Sequence, residues 1–425
     1  MTASRNAHDG RPSNRRRKLL MACGALAVNG GAPAAATSNS PVRVGFISPN
    51  SGRLSAFGAP NVFVTELLAP RLAAGVRGSS AGAVRIDIDM HDAASSPQLA
   101  ADIAARLVAS GVHMLVASGT PDICNPVADV CEGAGVPCIT TVAPWQAWLF
   151  GRKGQASTGF RWTYHFFAGM EEFADVYASL FKRSGLPGPV GGIFGDDLDG
   201  DAFVNSFPGA MGKRGMTLFD PGRIKLNAPD FKPVVRKFQE AGIQIVTGNL
   251  PPPVALEFFE VARQADYRPR MASIAKAFIF PETVAKVGHP GLALTNEVWW
   301  SPAWPFKSSL TGMTSGQLCE RFESATGKTW VQPLGFSHAL IEVVADAVRT
   351  ATALTREGLR EAVSRLQTTT VVGVIDFRSR FPALNVCTTP AVGGQWQKQP
   401  HGGWALQVVD NSRSPFIPVT SRLVV

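Results

Sequence analysis

The sequence predicts an α/β protein built from two doubly wound parallel-sheet lobes with a ligand cleft between them. Its 425 residues exceed the size that one hydrophobic core usually serves. From residue 41 onward, short β-branched runs alternate with amphipathic segments, which is typical of parallel sheets covered on both faces by helices. The alternation forms two consecutive arrays of similar length. Such arrays would form a cleft where the carboxyl ends of their strands face each other.

The first array contains four strand-like runs with helices between them. The runs lie at 42–47, 84–90, 113–116 and 136–139. Leu99, Ile103 and Leu107 recur every fourth residue, and a Ser-Ser-Pro run at 95–97 precedes them. This pattern predicts a helix that a serine caps and a proline opens.

The second array repeats the spacing of the first. Its strands are predicted near 190–194, 216–219, 243–247 and 270–274, and its helices near 169–183, 201–214, 231–241 and 253–265. A long helix from Leu334 to about Thr352 would return to the first lobe, and strand-like runs at 371–377 and 404–409 would finish in the second.

The predicted lobe boundaries follow from these arrays. The first lobe takes 41–163 and about 298–376, and the second takes 164–297 and about 377–425. The chain would therefore cross between the lobes near Trp162, Glu297 and Phe377.

Residues 1–36 have the three features of an export signal. A basic run at 15–18 precedes ten apolar or small residues at 19–28, and alanines follow at 34–36. Ten such residues are too few to span a bilayer. The Arg16-Arg17 pair leaves both the general and the twin-arginine export routes open. We therefore expect cleavage after Ala36 and a mature protein in the periplasm.

The net charge of +9 does not indicate a nucleic-acid partner. Residues 1–36 contribute +5 of it, and the remaining +4 is scattered along the chain rather than gathered in a stripe. A content of 45% hydrophobic and 17% charged residues excludes a largely disordered protein.

The chain carries no motif of an enzyme or of a cofactor site. It lacks a G-x-G-x-x-G loop, a Walker loop, an H-E-x-x-H pair and a G-x-S-x-G elbow. The acidic run at 196–201 lacks the glutamate that closes a calcium loop, so we interpret it as a solvated strand-to-helix turn. Among the five cysteines beyond residue 36, Cys131 and Cys138 are the pair that could most easily form a disulfide, and buried thiols are the alternative. We expect no catalysis, no cofactor and no metal.

Five sets of segments, taken together, carry a resemblance to a known family. They lie at 44–52 with 56–58, at 91–97, at 125–128 through 135–137, at 160–161 and at 196–200. In order and spacing they resemble the leucine/isoleucine/valine-binding protein family, the periplasmic receptors that feed ABC importers. The resemblance implies a type I periplasmic-binding fold, three crossings between lobes and hinge closure of a monomer around a small molecule. It also implies an ABC transporter permease as partner and no cofactor.

The resemblance also points to the residues that would bind the ligand. They are Ser118, Thr120, Thr141, Ala143, Trp145, Tyr164, Asp199 and Lys276. The hydroxyls of Ser118, Thr120 and Thr141 follow the third and fourth strands, where they and nearby backbone N–H groups could receive a carboxylate.

The same comparison predicts the charge of the ligand. Amino-acid-binding members of the family place acidic groups around the ligand ammonium, but Lys276 stands close to where they have a glutamate. A buried ammonium that faced a cation would be uncompensated, which costs several kcal/mol. We therefore expect an anionic carboxylate, and an aromatic one if the rings of Trp145 and Tyr164 stack on it.

Two alternatives stay open at this point. The ligand could be an amino acid of the Leu/Ile/Val type, with Asp197, Asp199 or Glu297 supplying the acid. The protein could also be a ligand-sensing component that reports to a receptor rather than to a permease, since the same fold serves both purposes.

Overall fold

A computed structural model describes residues 40–78 and 82–425 of the chain. The predicted export signal at 1–36 lies outside these residues. Within them, no helix combines the length and the apolar character that crossing a membrane requires.

Strands and helices alternate along much of the described chain, and five strands, β14 to β18, end it. The strands are β1 (Val42–Ser48), β2 (Val76–Arg77), β3 (Ala83–Val84), β4 (Ile86–Asp92), β5 (Met114–Ser118), β6 (Cys138–Thr141), β7 (Thr163–Phe166), β8 (Val190–Gly195), β9 (Leu218–Phe219), β10 (Arg223–Ile224), β11 (Ile245–Asn249), β12 (Met271–Ala275), β13 (Ala293–Val298), β14 (Gln367–Thr370), β15 (Gly373–Asp376), β16 (Val386–Cys387), β17 (Val392–Lys398) and β18 (Trp404–Asp410). The helices are α1 (Ser55–Gly58), α2 (Asn61–Ala74), α3 (Pro97–Ala109), α4 (Pro121–Ala134), α5 (Trp145–Gly151), α6 (Met170–Ser184), α7 (Leu198–Gly212), α8 (Lys232–Glu240), α9 (Pro252–Gln264), α10 (Pro281–Val287), α11 (Ser315–Thr326), α12 (Pro333–Thr350) and α13 (Arg356–Ser364).

The first sheet has six strands in the order β16-β7-β6-β5-β1-β4, and every pair in it is parallel. Helices α2, α3, α4 and α12 pack against it. The strand order reverses at β1, and ligands of open α/β sheets bind beside such reversals, outside the carboxyl ends of the strands. Ser118 at the end of β5 lies opposite Thr141 at the end of β6, and Thr141 lies opposite Phe166.

The second sheet follows the order β10-β8-β11-β12-β13-β17-β18, with β9 also paired to β8. The pairs among β8 to β13 are parallel, and β17 and β18 add an antiparallel edge. Asn249 at the end of β11 lies opposite Ala275 at the end of β12. The two parallel sheets with their helices confirm the predicted fold class.

Helix α3 shows how local sequence chemistry fixes an element. Ser96 is its N-cap and accepts a hydrogen bond from the backbone N–H of Leu99 at 3.2 Å, and Pro97 opens its first turn. Ile103 and Leu107 are buried. The predicted serine cap, the opening proline and the buried face of this helix are all confirmed.

Two predicted strand runs, at 371–377 and at 216–219, differ from the structure. Residues 371–377 do not join the second sheet: β14 and β15 form a separate antiparallel hairpin, with β14 against α12. Gly373 follows the turn of this hairpin at φ +132°, a conformation that glycine adopts readily. This conformation lets β15 fold back onto β14. The run at 216–219 forms only the two-residue strand β9.

The lobe boundaries stay predictions. Strands β7 and β16 pair with each other in the first sheet, although they lie beyond the predicted crossings near Trp162 and Phe377. All five cysteines beyond residue 36 are buried free thiols, so the Cys131–Cys138 bridge is not formed in this structure.

Candidate ligand-binding site

Two hydroxyl groups lie unpaired at the carboxyl end of β5. The side chains of Ser118 and Thr120 are buried, and neither hydroxyl has a hydrogen-bond partner among the residues that the structure describes. Thr120 is the N-cap of α4, yet its side chain does not cap the helix. A buried hydroxyl without a partner is costly, so these two groups are available to a ligand.

The turn between these two residues requires a glycine. Gly119 has φ +150°, and a Cβ atom there would lie 3.2 Å from Cδ of Pro49. The glycine therefore lets the turn pack closely against the loop after β1. The same turn places Thr120 at the start of α4.

Three charged side chains gather at the carboxyl ends of β8 and β12. The ammonium of Lys276 lies 2.6 Å from Oδ2 of Asp197 and 2.7 Å from Oδ2 of Asp199. Asp197 is the N-cap of α7, and its Oδ1 accepts the backbone N–H of Gly200 at 2.8 Å. Asp199 is buried, and its Oδ1 has no partner within the described part of the chain. The interpretation of this run as a solvated turn is therefore wrong for Asp199, because the chain folds it under Lys276.

Burial and pairing set the charge states in this cluster. Burial would lower the pKa of Lys276, but the two carboxylates raise it above its usual value. Burial raises the pKa of Asp199 to about 6, although Lys276 opposes the rise. Burial acts the same way on Asp197, but the charge and hydrogen bond of Lys276 prevail and lower its pKa. The Lys276 ammonium thus forms ion pairs with two carboxylates, and it is not the unpaired cation that the sequence suggested.

A second acidic group stands at the end of β13. The carboxylate of Glu297 is buried and accepts a hydrogen bond from the Tyr177 hydroxyl. Burial raises the pKa of Glu297 to about 7, against the hydrogen bonds from Tyr177 and Trp299. No Lys, Arg or His of the described residues forms an ion pair with it.

These groups share one cavity between the two sheets. The cavity has a volume of about 30 Å³, which has room for about two water molecules and is far below the roughly 300–1,000 Å³ of ligand pockets, so a ligand requires its walls to separate. Its walls are Phe57, Thr120, Val142, Pro144, Phe167, Phe173, Asp199, Phe203, Ala275, Lys276, Ile279, Glu297 and Trp299. Phe57 meets Phe280 edge to face with ring centroids 5.1 Å apart, which joins the first half of the chain to the second. The site is therefore small, lined mainly by apolar side chains of which five are aromatic, and bounded by a few buried polar groups.

Backbone strain coincides with two of the cavity walls. Val142, directly after β6, has φ +74°, and Lys276, directly after β12, has φ +67°. A β-branched residue in the left-handed region is a genuine outlier. Strain of this kind tends to cluster at ligand sites, where the surrounding structure maintains it.

The structure brings some of the predicted site residues together and not others. Thr120, Asp199 and Lys276 line the cavity. Ser118 adjoins them but is not part of the lining, and the Thr141 hydroxyl donates to the carbonyl of Phe166 at 2.7 Å.

The remaining three candidates point into the protein. The carbonyl of Ala143 accepts from Nε2 of His165 at 2.7 Å, although its neighbours Val142 and Pro144 line the cavity. Trp145 packs on Phe150 with ring centroids 5.7 Å apart. The ring of Tyr164 packs on Phe377, and its hydroxyl lies 3.5 Å from the carbonyl of Arg360. The structure brings neither of these two rings to the cavity.

Sequence reasoning missed the apolar walls. Phe167, Phe173, Phe203 and Ile279 carried no signal beyond their hydrophobicity, which is equally typical of core residues, and Phe57 was noted only as part of the 56–58 segment. Trp299 was not among the predicted site residues either. Glu297 appeared among the alternatives, and its place at the end of the last parallel strand was the available signal.

Two parallel sheets that meet at the carboxyl ends of their strands around a cavity define a cleft-type ligand-binding protein. A family model described as "Periplasmic binding protein" matches residues 41–398, so the chain belongs to the periplasmic binding protein family. This membership confirms the family that the sequence segments indicated.

Comparisons with individual proteins agree with this assignment. The chain is 23% identical over 231 residues to Leu/Ile/Val-binding protein homolog 3 of Brucella melitensis, a match that spans 54% of this chain and 59% of the relative's length. The leucine-binding protein LivK of Thermotoga maritima superimposes with a TM-score of 0.71 at 16% identity, over 88% of this chain and 99% of that one. A solute-binding protein of an ABC transporter from R. palustris, in complex with 4-hydroxybenzoate, gives 0.70 at 15% identity, over 87% and 96%. At these identities the structural likeness establishes the fold.

Proposed function

We propose that this protein is the exported substrate-binding component of an ABC importer of the branched-chain amino acid type, and that it closes as a monomer around a small carboxylate. The cavity carries the proposal: residues at the carboxyl ends of strands in both sheets form its walls, and the buried Thr120 hydroxyl in it lacks a partner among the described residues. The related structures are named for leucine or hold 4-hydroxybenzoate, two molecules that share a carboxylate.

The carboxylate would bind at the first sheet. The hydroxyls of Ser118 and Thr120 can donate to it, and the fourteen-residue helix α4 begins at this point with the positive end of its dipole. An ammonium has three donors, and Lys276 uses two of them on Asp197 and Asp199. Its third N–H is left for an anionic group in the cavity.

The body of the ligand would lie against the aromatic walls. Phe57, Phe167, Phe173, Phe203 and Trp299 surround the polar groups. Burial of an apolar body against such walls yields roughly 25 cal/mol per Å² of apolar surface removed from water. A flat ring or a branched aliphatic chain would suit these walls, since the cavity is small.

One observation favours an amino acid as a second candidate. Oδ1 of Asp199 is buried without a partner among the described residues, although Lys276 holds the other oxygen of the same carboxylate. With Lys276 paired to two acids, the cluster does not repel a ligand ammonium as a free lysine would. The free oxygen of Asp199 could accept a hydrogen bond from that ammonium.

Calorimetric titration of ligand-free protein tests the proposal. We expect at least one of leucine, 4-methylpentanoate, benzoate and 4-hydroxybenzoate to bind, and the Thr120→Val variant to bind it at least about tenfold more weakly, because a hydrogen bond to a charged group is lost. Thr314→Val, which removes the hydroxyl that caps α11 far along the chain, is the control and should keep the affinity. Absence of binding by all four carboxylates would contradict the proposal.

A further inference from the structure

A buried histidine connects strand β7 to the turn that forms one side of the cavity. His165 is fully buried on β7 and lies opposite Thr140 on β6. Its Nε2 atom lies 2.7 Å from the carbonyl oxygen of Ala143, and its Nδ1 atom lies 2.8 Å from the hydroxyl of Thr140. Ala143 stands between Val142 and Pro144, two residues of the cavity wall. One ring nitrogen therefore bonds to the turn and the other to the neighbouring strand.

These partners fix the tautomer of the imidazole. A carbonyl oxygen only accepts hydrogen bonds, so Nε2 must carry the proton that it donates to Ala143. Burial lowers the pKa of His165 to about 3, against the hydrogen bond to Ala143, so the ring is neutral at physiological pH. Nδ1 is then without a proton and accepts the hydroxyl of Thr140. His165 is thus a donor toward the turn and an acceptor toward β6.

The ring is held by packing, and the turn is one that needs a restraint. The His165 ring stacks on the buried Trp148 ring, with centroids 5.0 Å apart and an interplanar angle of 16°. Val142 has φ +74°, a left-handed conformation that a β-branched residue keeps only where the surrounding structure maintains it. The bond from Nε2 to the next carbonyl along the chain is such a restraint. Without it, the turn would be free to relax.

We propose that His165 is a positioning residue whose Nε2–H group holds the turn at 142–144 in the conformation that faces the ligand. This inference rests on the proposed function, because it concerns the affinity of the same cavity for a carboxylate. His165 lies outside the cavity walls and acts through the backbone of Ala143. Loss of its donor should therefore weaken binding although every side chain of the wall is unchanged.

Two substitutions separate this donor from the rest of the imidazole. The amide of His165→Asn reaches about as far as Nδ1 and can keep the bond to Thr140, whereas the amide of His165→Gln reaches about as far as Nε2 and can keep the donor to Ala143. The calorimetric probe is whichever of leucine, 4-methylpentanoate, benzoate and 4-hydroxybenzoate binds the wild-type protein most tightly. We expect an increase in Kd of about tenfold for His165→Asn and a Kd close to that of the wild type for His165→Gln.

The control for the loss of a buried imidazole is His338→Asn. His338 is also fully buried, and its Nδ1 lies 2.8 Å from a carboxylate oxygen of Glu342, a contact that an asparagine amide can keep. It lies on α12, outside the cavity walls. This variant should keep the wild-type Kd even if its melting temperature falls.

Nuclear magnetic resonance of the ligand-free wild-type protein tests the tautomer without any substitution. In protein labelled at the histidine nitrogens, two-bond proton–nitrogen correlations distinguish a protonated ring nitrogen from a bare one. The signal of His165 is the one that is absent from the His165 variants. We expect a protonated Nε2 and a bare Nδ1 at neutral pH.

The outcomes separate the two proposals. If none of the four carboxylates binds, the proposed function fails and this inference fails with it. If one binds but His165→Gln loses as much affinity as His165→Asn, the proposed function stands and this inference is overturned. If every histidine of the ligand-free wild-type protein has a bare Nε2, the inference is overturned even if neither variant folds.

Discussion

Replacement of Lys276 by methionine should destabilise the protein strongly, because it leaves two carboxylates without their cationic partner. The ammonium is 7% exposed and lies 2.6 and 2.7 Å from the carboxylates of Asp197 and Asp199. Removal of one partner from a buried ion pair typically costs about 3–5 kcal/mol, since the remaining charge is uncompensated. We expect a loss of that order at pH 8, where both acids are ionised in the wild-type protein.

The same reasoning predicts how the loss depends on pH. Burial already raises the pKa of Asp199 to about 6, and without Lys276 it rises further, while the pKa of Asp197 loses the ion pair that lowers it. Protonation then relieves the repulsion, so the deficit of Lys276→Met should be smaller at pH 5 than at pH 8.

Urea unfolding of ligand-free protein, followed by tryptophan fluorescence at both pH values, measures the deficit. The control is Arg263→Met, which removes an exposed ion pair with Glu260 and should leave stability nearly unchanged at either pH. A deficit at pH 8 below about 1 kcal/mol, far under the value expected for a buried pair, would refute the reasoning. So would an equal deficit at pH 5.

Three further predictions follow from single groups. The pKa of Glu297 is raised to about 7, so its contribution to stability is present below its usual pKa near 4.5 and is lost as the pH rises to 7. Glu297→Gln should therefore flatten the fall in melting temperature between these pH values. A fall parallel to that of the wild-type protein would contradict this prediction. Thr120→Val should leave the free energy of unfolding unchanged or raise it slightly, because the hydroxyl it removes is buried and unpaired among the described residues, whereas Thr141→Val should cost about 1 kcal/mol for the lost bond to the β7 carbonyl. Equal losses in the two variants would count against this difference. Gly200→Ala should lower the free energy of urea unfolding by about 1–3 kcal/mol, because a Cβ would lie 1.9 Å from a carbonyl oxygen of β8. Gly209→Ala, at an open and exposed position of the same helix, should raise it by about 0.5–1 kcal/mol. An alanine at 200 that leaves stability unchanged would show that α7 packs on β8 differently.

The fold was largely predictable because its signals are local. Three signals depend only on residues close together in the sequence: the strand-like runs, the recurrence of Leu99, Ile103 and Leu107 at every fourth residue, and the serine cap of α3. The pairing of the strand-like run at 371–377 was mispredicted because such a run does not reveal whether it pairs with a sheet or with the adjacent segment.

The site was only partly predictable because its decisive contacts join distant residues. Thr120, Asp199 and Lys276 follow strands, and the carboxyl ends of parallel strands are where ligands bind, so their place could be expected. That Lys276 would pair with two aspartates almost eighty residues away could not be read from spacing. Tyr164 illustrates the same limit: alternation along β7 defines two faces, but only the packing on Phe377 shows which one Tyr164 takes.

Mass spectrometry of the molecule that copurifies with the protein tests the central claim most directly. The account predicts that one small carboxylate per chain is released when the wild-type protein is denatured. It also predicts that Thr120→Val retains much less of this molecule after the same purification. A bound molecule that lacks a carboxylate group would contradict the account.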